Sequence, residues 1–214
     1  MSYSLVIFDC DGVLVDSEPL GNRVLAEAAC ELGLKLSAEE AITSFRGWKM
    51  ADCVATLSER LGRPLPDDFV PKLRARTAEV FRRELQPIPG IHAALDRITT
   101  PVCVASSGPN EKIALALSVT SLLRYFEGRI FSSYDINSWK PAPDLFLHAA
   151  ASLGVPPDLC AVVEDSALGV QAGTAAGMRV FAYVPVAEWP EMRFLGATPF
   201  CHMDELPALL QQSN

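Results

Sequence analysis

The sequence predicts a doubly wound α/β fold: a parallel sheet covered by helices on both faces, with an all-helical module inserted after its first strand. Three observations carry this. Short apolar runs recur along the chain, continuous rather than alternating, as strands buried on both faces require. Helical patterns separate the later runs, and strand–helix–strand alternation builds a parallel sheet. Between the first run and the second, from Glu18 to Glu84, the chain shows helical periodicity and no convincing strand.

In chain order, the first run is Leu5–Phe8, closed by Asp9-Cys10-Asp11-Gly12. Three stripes follow. Leu20, Val24, Ala28 and Leu32 repeat every four residues. Met50, Val54, Leu57 and Leu61 repeat at four and three, and Val70, Leu73, Thr77 and Phe81 form the third. Each stripe is the core-facing side of an amphipathic helix. Gly33, Gly47 and the stretch GRPLP at 62–66 supply the stops, and LQPIPG at 85–90 reads as the return hinge. The predicted division is therefore 1–16 with 87–214 for the α/β core and 17–86 for the inserted helical module. The remaining strands are predicted at Val102–Ala105, Arg129–Phe131, Cys160–Val163 and Val180–Val184, and the helices between them at Pro109–Leu117, Pro143–Leu153 and Ser166–Ala176.

A chain of 214 residues suits one domain with a modest insertion, and it can bury a core without staples. Half of it is apolar and 21% is charged, which excludes disorder and fibrous repeats. A net charge of −8 argues against non-specific nucleic-acid binding. It leaves room for a small anionic substrate, since a metal or a few local cations reverse the sign at one site. No apolar run approaches the roughly 20 residues that span a bilayer, so no membrane partner is expected. The start, MSYSLVIFDCDG, lacks the basic region of a signal peptide. Six cysteines without a CxxC pair read as reduced thiols in a cytoplasmic protein.

Ligands of open α/β sheets bind at the carboxyl ends of the strands, and there the chemistry gathers. Asp9 and Asp11 close the first strand. The chain turns at Gly12, so the two carboxylates can converge, one as nucleophile and one as proton donor. Taken alone, DxDG is also an ordinary Asp-rich turn. Buried beside LVIF, however, an unpaired carboxylate pair is costly and calls for a metal or a cation. Glu164-Asp165 ends another strand. Alone it reads as an N-cap acid, but opposite Asp9 it completes a hard oxygen set suited to Mg²⁺. Ser106 and Ser107, before Gly108-Pro109, stand at a helix N-terminus, as capping groups or as an anion site. Lys140, fixed by Pro141, fits neutralisation of phosphate charge.

The stretches VIFDCDGVLVDSE, VCVASSGP, WKPAPDLF and VVEDSALGVQAGTAAGM resemble, in order, the four signature motifs of the haloacid dehalogenase superfamily. The likeness is to its subfamily with a helical cap after strand one. SSGPNEK, YDINSWKPAPDLFLHAA and the AGM-RVF ending are similar to the bacterial 6-phosphogluconate phosphatases of that subfamily. The resemblance implies that Asp9 attacks phosphorus to give an aspartyl-phosphate. Asp11 then protonates the leaving alcohol and later activates water. Ser106 bonds the phosphoryl oxygens and Lys140 bridges Asp9 and the phosphate. Ser107, Gly108 and Asn110 line the substrate beside them. Mg²⁺ would sit on the Asp9 carboxylate, the Asp11 carbonyl and Asp165, with Glu164 a ligand or an acceptor just behind.

The implied activity is hydrolysis of small phosphorylated metabolites, sugar or sugar-acid phosphates. A β-phosphoglucomutase-type mutase is the enzymatic rival. Its members commonly carry a His in the linker before the first cap helix, where this chain has Gly21. A haloalkanoate dehalogenase lacks the acid at Asp11. A phosphonatase needs a Schiff-base lysine from the cap, for which Lys49 is the nearby candidate. A signalling receiver domain, the rival from another class, carries its phosphorylated Asp after a later strand and has no insertion. In the cap, the loop Phe45-Arg46-Gly47-Trp48-Lys49 resembles the one that closes over the leaving group in this subfamily. The carboxylate of a sugar acid suits Arg46 or Lys49. Gly169, Gly173 and Gly177 recur every four residues and read as close helix–sheet packing. No motif speaks to oligomeric state.

Overall fold

A computed structural model describes residues 3–45 and 48–211. The first strand, β1 (Leu5–Phe8), is followed by α1 (Glu18–Glu31), α2 (Ala38–Phe45), α3 (Met50–Leu61) and α4 (Phe69–Glu84). After α5 (Ile91–Arg97) the chain alternates: β2 (Val102–Ser106), α6 (Asn110–Val119), a short α7 (Leu123–Phe126), β3 (Ile130–Ser132), α8 (Ser133–Ile136) and α9 (Asp144–Ser152). Then come β4 (Cys160–Glu164), α10 (Ala167–Ala175), β5 (Arg179–Tyr183), α11 (Trp189–Phe194), β6 (Thr198–Phe200) and α12 (Leu206–Gln211).

The strands form one six-stranded parallel sheet in the order β3-β2-β1-β4-β5-β6. This is the predicted doubly wound fold. LVIF carries no side-chain polar atom, so it takes the middle of the sheet and is buried at every residue. On its two sides Ile7 faces Cys103 of β2 and Val162 of β4. The chain leaves β1 toward β2 and later returns to its other flank as β4. The order therefore reverses at β1, and an open sheet has its crevice at the carboxyl end of such a reversal. On one face Leu5, Ile7, Ala105, Val162 and Val180 pack with Leu145, Phe146 and Val170.

The chain separates into two compact units, Met1–Val15 with Pro87–Asn214, and Asp16–Gln86. The second is all-helical. Val24, Ala28, Phe45, Leu57, Phe69 and Leu73 form its core. The third stripe differs from the expected one in a detail: Val80 is buried, whereas Thr77 stays half-buried and its hydroxyl donates to the Leu73 carbonyl at 2.9 Å. A hydroxyl at i+4 finds its own helix backbone more readily than an apolar neighbour.

Several elements go beyond the sequence reading: β6, a three-residue edge strand with Pro199 inside it, the eight-residue α2, and the helices α5, α7, α8, α11 and α12. All six thiols are unpaired; Cys10, Cys53, Cys103 and Cys160 are buried. Among the described residues no helix is long and apolar enough to cross a membrane.

Candidate active site

Asp9 continues the β1–β4 ladder by one bond, its N–H donating to the Val163 carbonyl at 2.9 Å, and its side chain is buried at the sheet edge. The chain then folds tightly. Gly12 donates to Val15 at 2.9 Å and adopts φ +76. A Cβ there would lie 2.2 Å from Oδ2 of Asp165, so this turn needs glycine both for its left-handed backbone and for the acid packed on it. The two strand ends thereby bring Asp9, Glu164 and Asp165 together. One oxygen of each lies within 4.8 Å of the others.

Three buried acids at one edge are tolerable only with countercharge. Lys140 provides it. Its side chain is 6% exposed, and Nζ donates to Asp9 Oδ1 at 2.8 Å and to Glu164 Oε1, 5.1 Å from the centre of the Phe146 ring. The Asp9 carboxyl is raised to about 7: burial pushes it up most, Lys140 pulls it down, and Glu164 and Asp11 push it up. Burial works against the Lys140 ammonium, but Asp9 and Glu164 outweigh it and hold its pKa above the ordinary lysine value. The two groups stabilise each other's charged forms.

Glu164 is wholly buried, and its Oε2 accepts from Asp165 N at 2.9 Å, Ser166 N at 3.1 Å and Ser166 Oγ at 3.0 Å. With Lys140 on Oε1, both oxygens are engaged within the protein. Asp9, Glu164 and Asp165 could together hold a metal ion, and Glu164 carries bonds on both of its oxygens. The helix cap expected from the Glu164-Asp165 pair is Ser166, whose Oγ accepts from Gly169 N at 3.1 Å. Gly169 makes room for this arrangement: a Cβ on it would lie 1.9 Å from the Glu164 carboxyl. Gly173 allows α10 to approach the sheet, since a Cβ there would lie 2.7 Å from Val180. Gly177 differs from the expected packing role. It has φ +73, nothing lies near its missing Cβ, and it closes α10 as a left-handed turn.

Ser106 is buried at the end of β2, and its Oγ accepts from Gly108 N at 3.1 Å. The Gly108 carbonyl in turn accepts from Ser132 Oγ at 2.6 Å. Ser107 is half-buried in the same turn. Pro109 is the residue before α6, with ψ 151, rather than a position inside the helix. Asn110, at the start of α6, donates from its amide to Asp135 Oδ1 at 2.7 Å, which ties α6 to α8.

One site residue escaped the sequence reading. Lys112 Nζ donates to both oxygens of Asp11 at 2.8 Å. A lysine in the first turn of a helix points back toward that helix's N-terminus, which here is the sheet edge. That direction, applied to SSGPNEK, was the available signal. In the helical unit Lys49 precedes α3 and pairs with Asp52 at 3.7 Å, and Trp48 stands edge-on to Phe45 at 5.7 Å. Arg46 and Gly47 lie outside the described residues. Gly21 is inside the first turn of α1, not in a linker ahead of it.

Acids that would repel one another are held together by Lys140 at a sheet reversal, an arrangement suited to a doubly wound enzyme acting on an anionic group such as a phosphate monoester. More particularly, the chain belongs to the haloacid dehalogenase-like hydrolase family, whose sequence model matches residues 6–183. It is 38% identical over 205 residues to the 6-phosphogluconate phosphatase of Escherichia coli K12, covering 95% of this chain and 93% of that protein. It is 30% identical over 183 residues to a fructose-1-phosphate phosphatase of the same organism, covering 82% and 94%. Among solved structures it is similar to a conserved haloacid dehalogenase-like protein of Agrobacterium tumefaciens, with a TM-score of 0.83, 34% identity and 98% of each chain covered. A family hydrolase of Deinococcus radiodurans with bound phosphate and sodium aligns at a TM-score of 0.79 and 28% identity, covering 99% and 96%.

Proposed function

We propose that this protein is a Mg²⁺-dependent phosphatase of small phosphorylated sugars and sugar acids, with 6-phosphogluconate as its foremost substrate. The observation that carries the reading is Asp9, a buried carboxyl bonded by Lys140 and grouped with Asp165 at the sheet reversal. A nucleophile must be ionised yet poorly solvated; burial supplies the poor solvation and Lys140 pulls toward the ionised form against it.

The donor set fits a hard divalent ion, since every contributor is an oxygen. The Asp9 and Asp165 carboxylates and the Asp11 carbonyl would hold Mg²⁺, which supplies positive charge against the phosphoryl oxygens. Asp9 attacks phosphorus, the bond from phosphorus to the alcohol oxygen breaks, and Asp11 gives that oxygen a proton. Asp11 then takes a proton from water, which attacks the aspartyl-phosphate and releases inorganic phosphate with Asp9 restored. Lys140 and Ser106 meet the charge on the phosphoryl oxygens throughout. By the resemblance, the helical segment 17–86 would be the cap module and 1–16 with 87–214 the core, and Arg46 and Lys49 of the cap would suit a substrate carboxylate. Six unpaired thiols agree with a cytoplasmic setting.

The choice of substrate is supported by the relative called a 6-phosphogluconate phosphatase, which matches over nearly its full length. A panel of phosphorylated metabolites ranked by kcat/KM tests it. Sugar-acid phosphates should rank above neutral sugar phosphates. A ranking with no preference among phosphate esters would remove the substrate, and absence of phosphate release from all of them would remove the phosphatase.

A further inference from the structure

Asp11 is held from one side. Lys112 places Nζ 2.8 Å from each of its oxygens, so the ammonium sits across the open edge of the carboxylate. The lysine stem takes a defined path: its Cδ passes 3.5 Å from where a Cβ of Gly108 would stand, with Ser106 Oγ at the same 3.5 Å. The pair is partly shielded, with 35% of the Lys112 side chain and 24% of the Asp11 side chain exposed. Left to itself, an aspartate rotates broadly about its last bond. Held at two points it has one orientation.

We propose that Lys112 is a positioning residue for Asp11: from α6 it fixes the angle of that carboxylate relative to the Ser106–Gly108 turn. This rests on the reading of Asp11 as the group that protonates the leaving alcohol. The same helix start then carries both the turn that receives the phosphoryl group and the lysine that aims the acid. The distance between those two tasks is set by one rigid element rather than by two flexible side chains.

The test is a series of aryl and alkyl phosphates of increasing leaving-group pKa, hydrolysed by wild type, K112M, K112Q, K112R and D11N, with inorganic phosphate as competitive inhibitor. A mis-aimed acid matters most for a poor leaving group. K112M should therefore lose about ten- to a hundredfold in kcat on alkyl phosphates and less than about threefold on p-nitrophenyl phosphate, with inhibition by inorganic phosphate unchanged. K112R should recover most of the loss. Adding K112M to D11N should change the remaining rate by less than about twofold. A parallel loss across all leaving groups, or weaker inhibition by phosphate, would show that Lys112 serves the phosphate itself and overturn the proposal. So would effects of K112M and D11N that multiply. If D11N were insensitive to the leaving group, the acid role of Asp11 would fall first and the proposal with it. K112Q keeps the stem without the charge, so a folding defect confined to K112M leaves the measurement intact.

Discussion

Replacing Gly169 by alanine should break the site from a distance. A Cβ at this position would stand 1.9 Å from both Cδ and Oε1 of Glu164, whereas ordinary contact begins near 3.4 Å. The carboxylate would have to retreat by about 1.5 Å. It is wholly buried and tied to Lys140, Asp165 and Ser166, so it has no free direction. A shift of that size carries bonds of 2.9–3.1 Å beyond hydrogen-bonding distance. Overpacking of this kind costs about 1–3 kcal/mol, and weakening a buried ion pair adds to it. Against this, alanine favours a helix over glycine by about 1 kcal/mol. The expected balance is a loss of about 2–4 kcal/mol, or roughly 5–15 °C in Tm for a chain of this size. Lys140 would lose one of its two carboxylates, and kcat should fall at least about a hundredfold. Gly177→Ala is the control. Its Cβ meets nothing and its φ of +73 costs about 1–2 kcal/mol, with kcat unchanged. Thermal unfolding by circular dichroism and steady-state phosphate release read both effects. A G169A protein as stable and as active as wild type would refute the reasoning.

Asp9→Asn should abolish turnover and leave the circular dichroism spectrum unchanged; a rate within about tenfold of wild type at saturating metal would remove Asp9 as nucleophile. Chelation by EDTA should stop phosphate release, Mg²⁺ should restore it and Ca²⁺ should not, since Ca²⁺ takes more ligands at longer distances and spoils the line of attack. Full activity after exhaustive chelation would contradict the Asp9–Asp165 metal site. At pH 8, iodoacetamide should label Cys30 and Cys201 well before Cys53, Cys103 and Cys160. Burial pushes Cys103 up to about 12 and Cys53 and Cys160 up to about 11, so these three stay protonated and unreactive, as mass spectrometry of the digested protein would show. Early labelling of Cys103 would mean that the sheet opens more readily than its packing implies.

The parts legible in the sequence are those that composition alone determines. LVIF can only be a covered strand, and Asp9, Ser106, Lys140 and Glu164-Asp165 each follow or flank a strand end, so the sheet collects them whatever else the chain does. β6 was not legible, because three residues with a proline inside give no period to read. Nor was the cap of α10. Asp165 and Ser166 are both good capping residues, and only the packing of Gly12 on Asp165 assigns the acid to the site and leaves the serine to the helix. Lys112 was not legible either. A helix-surface lysine reaches Asp11 because helix phase and reach, not residue type, decide where a side chain ends.

The crossings into and out of the helical unit lie side by side. Val15 bridges Pro87 in antiparallel fashion, Ile88 donates to Leu14 at 3.0 Å and Asp16 to Gln86 at 3.0 Å. A segment of about seventy residues therefore begins and ends at neighbouring points of one ribbon. To the rest of the chain it is a closed loop, and the entropy of closing a loop grows so slowly that doubling its length costs only about 0.6 kcal/mol. A short turn or a far larger domain could be seated on the same ribbon with little thermodynamic difference to the sheet. Size and identity of the insertion are thus free to vary in descent, while Asp9, Ser106 and Glu164 stay where β1, β2 and β4 put them.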